Sequence, residues 1–197
     1  MGRMGRRLVV AALVTALLTG VAACTADESR PSRPDEPAAG AALQVVSLKV
    51  PGIDEETRTR LESEVGDVLS RYIVGGFLGD YPRGDFVRGL ADFTDTLADN
   101  GGVDLAGLTL AGVDGVTSVR ATRLHARLSY FDPGGEAVGA TAFLDLAFEV
   151  TLEDGSTREV ARTGKLVLGR SATSWQVLGY DLCCTEDGDA VDAEVTS

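Results

Sequence analysis

Three cysteines, at 24, 183 and 184, and one histidine, His125, are the side chains of this 197-residue chain best suited to covalent or acid–base chemistry. With a separate role for Cys24 set out below, the adjacent Cys183 and Cys184 leave three outcomes. These are a strained vicinal disulfide, a bridge to another chain, or two partly buried free thiols, and the free thiols are the expectation. His125 lies between Arg123 and Arg127 on the polar side of an alternating run. A general base needs a positioned partner within hydrogen-bond reach; none adjoins it, so a surface role is expected. Asp145 and Glu149 share one face of a strand-like run, roughly 13 Å apart by the rise per residue. Paired carboxylates of glycosidase type sit about 5 to 9.5 Å apart, so these two read as a solvated face. One histidine and a Cys-Cys pair give no tetrahedral metal spacing. The acidic C-terminus lacks the alternating ligands and glycine of a calcium loop, and no glycine-rich phosphate loop of standard spacing occurs. No catalytic residue, metal or cofactor is therefore expected, and the chain reads as a non-enzyme.

Cys24 is different because of what precedes it. Arg3, Arg6 and Arg7 are followed by an apolar run over residues 8–18, and then by Leu18-Thr19-Gly20-Val21-Ala22-Ala23-Cys24. A basic segment, a short apolar segment and small residues form the anatomy of a secretory signal. Eleven apolar residues fall well short of the ~20 that span a bilayer as a helix. Val21-Ala22-Ala23-Cys24 resembles the lipobox of bacterial lipoproteins, in which the cysteine thiol takes a diacylglyceryl group and becomes the first residue. The resemblance implies a signal peptide over 1–23, lipidation at Cys24, and residence on the extracytoplasmic face of the cell membrane.

Processing before Cys24 leaves 174 residues, enough for one domain with a core. The full chain carries 18 basic and 30 acidic residues; without the three signal arginines the net charge is −15. Nucleic-acid binding requires clustered Lys and Arg, so nucleic acid is excluded as a partner. Anionic headgroups are repelled as well. Membrane attachment then rests on the acyl chains, each buried methylene contributing about 0.8 kcal/mol, and any further partner is an unidentified envelope protein. Residues 24–42, with prolines at 31, 34 and 37 and no apolar periodicity, read as a tether with a reach of roughly 20–25 Å.

The domain that follows is expected over 43–184. Residues 43–50 form an edge strand or an ordered lead-in. Asp54 caps a helix with Glu55 and Glu56 in its first turn. Leu61, Val65, Val68, Leu69, Tyr72 and Ile73 line its buried stripe, and Gly75-Gly76 ends it. A second helix is predicted from Asp85, with Phe86, Leu90, Phe93 and Leu97 on one side and Asn100-Gly101-Gly102 as its C-terminal cap. Residues 103–115 suggest a short strand or turns. From residue 116 the apolar period changes to two, giving strands separated at Asp132-Pro133-Gly134-Gly135, at Asp154-Gly155 and at residues 171–174. Trp175, a core or rim anchor, opens the last strand. The acidic residues 185–197 are expected to be disordered.

The fold class predicted is α+β: two N-terminal helices packed on a curved antiparallel sheet of about four strands, cone-like in shape. Helices followed by a meander, with 165–170 and 175–181 as the last hairpin, resemble nuclear transport factor 2-like or cystatin-like domains. They resemble in particular those of actinobacterial mammalian-cell-entry-associated envelope proteins. Enzymes on that cone place ionisable groups inside it. Here the inward positions Leu124, Ala126, Leu128, Leu144, Leu146, Val150 and Leu152 are apolar, and Tyr72, Tyr130, Phe148 and Tyr180 form the candidate pocket. The expected function is a membrane-anchored, non-enzymatic binding or interaction module. The alternatives are a carrier of a lipid or small apolar ligand in the cone cavity and, below it, an enzyme of the cone superfamily.

Overall fold

A computed structural model describes residues 40–48, 52–134, 136–171 and 174–186, with side chains at 101–103 and 184–186 set aside. Cys24, the lipobox, most of the tether and the acidic tail beyond Glu186 lie outside the described residues. The architecture is α+β. Strand β1 (Gln44–Ser47) precedes helix α1 (Glu55–Gly76), a 3-10 helix (Phe86–Leu90), helix α2 (Asp95–Val103) and the single turn α3 (Leu105–Leu108). Strands β2 (Val116–Phe131), β3 (Gly139–Leu152), β4 (Thr157–Arg170) and β5 (Trp175–Glu186) then complete one sheet in the order β1-β2-β3-β4-β5. Among the described residues no helix is long and apolar enough to cross a membrane.

Helix α1 forms where its spacing predicts. The Asp54 carboxylate accepts the Thr57 amide at 2.7 Å, satisfying a donor that the first helical turn leaves free. Its stripe from Leu61 to Ile73 is buried against the inward face of the sheet. Two-residue periodicity sets that face: Leu124 stands opposite Leu146, Ala126 opposite Leu144, and Ala142 opposite Leu166. Gly164, at φ 139°, permits the close approach of β4 to β5, since a Cβ there would lie 2.0 Å from the Asp181 carbonyl oxygen.

Four expectations are corrected. The sheet has five strands and is mixed, because β1 pairs in parallel with β2, Gln44 opposite His125 through Ser47 opposite Leu128. The second helix is broken. Asp85 makes no cap bond and instead binds Arg83 and Arg88. The Val177 amide donates to the Asp92 carbonyl and the Thr94 amide to the Val177 carbonyl, so Phe93 bridges to β5 where a helix would require its own ladder. Gly75 and Gly89 allow the preceding 3-10 helix to cross α1 closely; a Cβ on Gly75 would lie 2.6 Å from the Gly89 nitrogen. Helix α2 then runs through Asn100-Gly101-Gly102, and part of the 103–115 segment is the helical turn α3. Finally, Cys183 is a free thiol, as expected, but exposed where partial burial was expected, and β5 continues to Glu186, past the expected end of the domain at residue 184. Adjacent side chains on a strand point to opposite faces, which disfavours a bond between neighbours.

Candidate functional site

The candidate pocket residues face the interior between the sheet and α1: Tyr72 is joined to Phe148 through Phe77 and to Tyr180 through Phe93 in one aromatic cluster, and Tyr130 stands apart from it. Tyr130 is on the inward face at the end of the sheet where β2 leads into β3, opposite Ala140. Phe148 is eight residues further along β3, roughly 27 Å by the rise per residue. Phe148 is fully buried and stacks on Phe77 with ring centres 4.5 Å apart at 4°. Tyr72 meets the edge of Phe77 at 5.7 Å, and its hydroxyl donates to the Leu108 carbonyl at 2.6 Å. Its polar end is therefore committed to holding α3. Tyr180 is half-buried, 6.3 Å from Phe93; burial, then the nearby Asp104 carboxylate, push its hydroxyl pKa up. Tyr130 is 7% exposed and its hydroxyl has no hydrogen-bond partner among the described residues. Burial first, and then the charges of Glu62 and Glu64, push its pKa up, so the group is a neutral phenol at physiological pH.

One interior residue was not singled out from the sequence. Arg162 is 4% exposed on the inward face, opposite Leu146. Its Nε donates to the Gly107 carbonyl at 2.9 Å, Nη1 to Ala161 at 2.9 Å, and Nη2 to Thr109 at 2.9 Å and Ala106 at 3.2 Å. Four carbonyls thus replace the water lost by the guanidinium. Its signal was present: counting by twos from the inward Val160 places residue 162 inside.

Near Tyr130, Glu64 ties α1 to the β4–β5 hairpin. The Trp175 indole donates to its Oε2 at 3.0 Å; Arg170 approaches the same oxygen at 3.4 Å, and Arg60 binds Oε1 at 3.2 Å. Burial works to raise this carboxyl, but the indole bond and then the charges of Arg170 and Arg60 outweigh it and hold the pKa below its ordinary value. Glu62 accepts both the amide and the hydroxyl of Ser47, covering the free edge of β1.

Surface hollows among the described residues include the following. A groove of about 640 Å³ lies beside the C-terminal end of α1 and includes Arg71, Arg83 and Arg88. Its arginines are already engaged: Arg71 with Asp92 at 2.7 Å, and Arg83 and Arg88 with Asp85 at 2.8 and 2.9 Å. Arg83 also donates to the carbonyls of Val74, Gly75 and Leu78 at the end of α1. A second hollow of about 640 Å³ runs along the exposed, largely acidic side of α1 from Glu55 to Asp67. The third, about 380 Å³, is on the outer face of the sheet between Val46, His125 and Phe143. His125 is exposed there, opposite Asp145. Asp145 pairs with Arg123 at 2.9 Å and Glu149 with Arg120 at 3.0 Å, so both carboxylates belong to cross-strand ion pairs. Among the described residues no three His, Cys, Asp or Glu side chains come together as metal ligands.

No family model matches the chain, and no curated protein matches it. Among solved structures it is similar to a protein from Xanthomonas campestris described as a calcium/calmodulin dependent protein kinase II association domain. The identity is 10% over 76% of this chain and 96% of that one, with a TM-score of 0.36.

Proposed function

We propose that this chain is an envelope lipoprotein, held on the extracytoplasmic face of the cell membrane by acyl chains on Cys24, whose domain is a non-enzymatic binding or interaction module. The observation that carries this reading is the order of Arg3, Arg6 and Arg7, the apolar run, and Val21-Ala22-Ala23-Cys24. The character of the interior supports the second half. Its described positions are filled by apolar side chains, and its one buried charge is consumed by backbone carbonyls. Kinship with nuclear transport factor 2-like domains is part of the same reading, resting on the order of helices and strands.

The test is Cys24→Ala in the full chain. Wild type is expected in the membrane fraction with the mass of an acylated mature protein; the variant is expected unacylated and released from membranes. A variant that stays membrane-bound and acylated would refute the anchor. A second reading, a carrier of a lipid or small apolar ligand, draws on one observation: the buried Tyr130 hydroxyl is a polar handle without a protein partner among the described residues.

A further inference from the structure

The groove beside the C-terminal end of α1 gathers three of the 18 basic residues of a chain whose net charge is −12. Its volume of about 640 Å³ is that of a small-ligand site. The guanidiniums in it are held in place by other groups. Arg71 gives Nε and Nη2 to Asp92, and Arg88 gives Nη1 to Asp85. Arg83 is spent on Asp85, on the carbonyls of Val74, Gly75 and Leu78, and on the Phe86 ring, 5.1 Å from its centre. A guanidinium has five N–H groups, so Arg71 keeps three and Arg88 four that no described residue accepts. Both side chains are exposed. Asp80 is their counterpart: exposed in the same groove, it has no ion pair or hydrogen bond among the described residues.

We propose that this groove binds a short peptide of two or three residues by both its ends, the C-terminal carboxylate on Arg71 and Arg88 and the N-terminal ammonium on Asp80. Charge balance selects a zwitterion. Arg71, Arg83 and Arg88 are matched by Asp80, Asp85 and Asp92, so the groove is neutral as a whole. The surplus of carboxylates over the rest of the chain repels a net anion, and a net cation leaves the uncommitted guanidinium N–H groups unused. The layout selects the length. The 3-10 helix crosses α1 at Gly75, where a Cβ would lie 2.8 Å from the Arg88 carbonyl carbon. Arg71 is one helical turn before that crossing, and Asp80 follows Leu78 beyond it. From residue 71 to residue 78 the chain advances roughly 10 Å by the helical rise, while an extended peptide covers about 3.3–3.6 Å per residue. A single amino acid falls short of both ends, and three residues reach them. Between the charged ends, Val74, 56% exposed, and Leu78 offer an apolar floor to a side chain. The proposal depends neither on the anchor at Cys24 nor on what fills the interior.

The experiment is isothermal titration calorimetry of the full chain in detergent with the tripeptide alanyl-leucyl-alanine, its N-acetylated form and its C-terminal amide. Wild type is expected to bind the free tripeptide with a dissociation constant of about 1 mM or below. Each blocked form is expected to bind about fivefold more weakly, the size of a partly exposed ion pair. Asp80→Asn is expected to equalise the free and acetylated peptides, and Arg88→Gln to remove most of the preference for the free carboxylate over the amide. Both side chains are exposed and Asp80 has no partner to lose, so both variants are expected to keep the wild-type circular dichroism. Arg120→Gln, on the outer face of the sheet, is expected to bind all three peptides as wild type does. Absence of binding at about 10 mM free tripeptide, or equal affinities of wild type for the three forms, overturns the proposal. So does an Asp80→Asn variant that still prefers the free peptide to the acetylated one. Inorganic phosphate that displaces the tripeptide at equal concentration would make the groove an anion site and overturns it as well. Cys24→Ala is expected to bind like wild type, so loss of the anchor and loss of this site are read separately.

Discussion

Arg162 shows how a buried charge can be structural. It has four backbone carbonyls as acceptors, and three of them belong to residues 106–109, the stretch that Tyr72 also grips through Leu108. Replacing it by methionine keeps the apolar stem and takes the guanidinium donors away from the carbonyls of Ala106 and Thr109. Each unsatisfied buried group costs on the order of 1–3 kcal/mol; part of that is offset because the guanidinium no longer has to be desolvated. Arg162→Met is expected to lower unfolding stability in urea by about 3 kcal/mol. Hydrogen exchange should rise most over 104–111. Arg162→Lys should recover only part of the loss, because an ammonium is a point donor and cannot span acceptors as a planar fork does. A methionine variant as stable as wild type would mean that the carbonyls find water instead.

Among the elements, α1 is held at its N-terminal half by polar contacts: Glu64 joins it to Trp175 and Arg170, and Glu62 to Ser47. The sign of the pH effect follows from the depressed carboxyl of Glu64. A folded-state pKa below the unfolded value of 4.5 stabilises the protein above pH 4.5, and that contribution is lost as pH falls through the folded value. Glu64→Gln is expected to lower stability at pH 7 by about 1 kcal/mol, since the pairs are partly exposed. The gap between variant and wild type should then narrow between pH 5 and 3 in thermal melts. A gap that is constant with pH would assign the loss to packing. These contacts also mark what the sequence could reveal. The stripe of α1 and the alternation in β2, β3 and β4 were legible because one buried face imposes one period. The broken second helix was not, since Phe86, Leu90, Phe93 and Leu97 keep helical spacing while the bonds of Asp92 and Thr94 to Val177 are set 83 to 85 residues away in sequence. The parallel pairing of β1 is equally non-local. The bulge in β5 did leave a trace: Trp175 and Val177 are inward by one parity and Tyr180 and Leu182 by the other, so an extra residue lies between them.

At the scale of the molecule, the two readings of its interior differ in what Tyr130 is for. A filled core treats its hydroxyl as a cost, a buried donor without a bond; a ligand cavity treats it as the point of recognition. The aromatic contacts favour the first. Phe77 and Phe148 are stacked in van der Waals contact, Tyr72 is turned to Leu108 and reaches Tyr180 through Phe93, and Tyr130 lies apart from this packed cluster. A ligand entering there must displace side chains already packed against one another, at a cost comparable to overpacking a core, about 1–3 kcal/mol or more. A bound ligand at a hundred times its dissociation constant would stabilise the fold by about 2.7 kcal/mol, which a melting curve detects readily. Dodecanoate at 100 µM is therefore expected to leave the melting temperature of the full chain unchanged. Tyr130→Phe is expected to hold or raise stability by ~1 kcal/mol, because it removes an unsatisfied polar atom at nearly constant volume. If dodecanoate raises the melting temperature by several degrees in wild type and not in Tyr130→Phe, the hydroxyl contacts a ligand and the domain is a carrier.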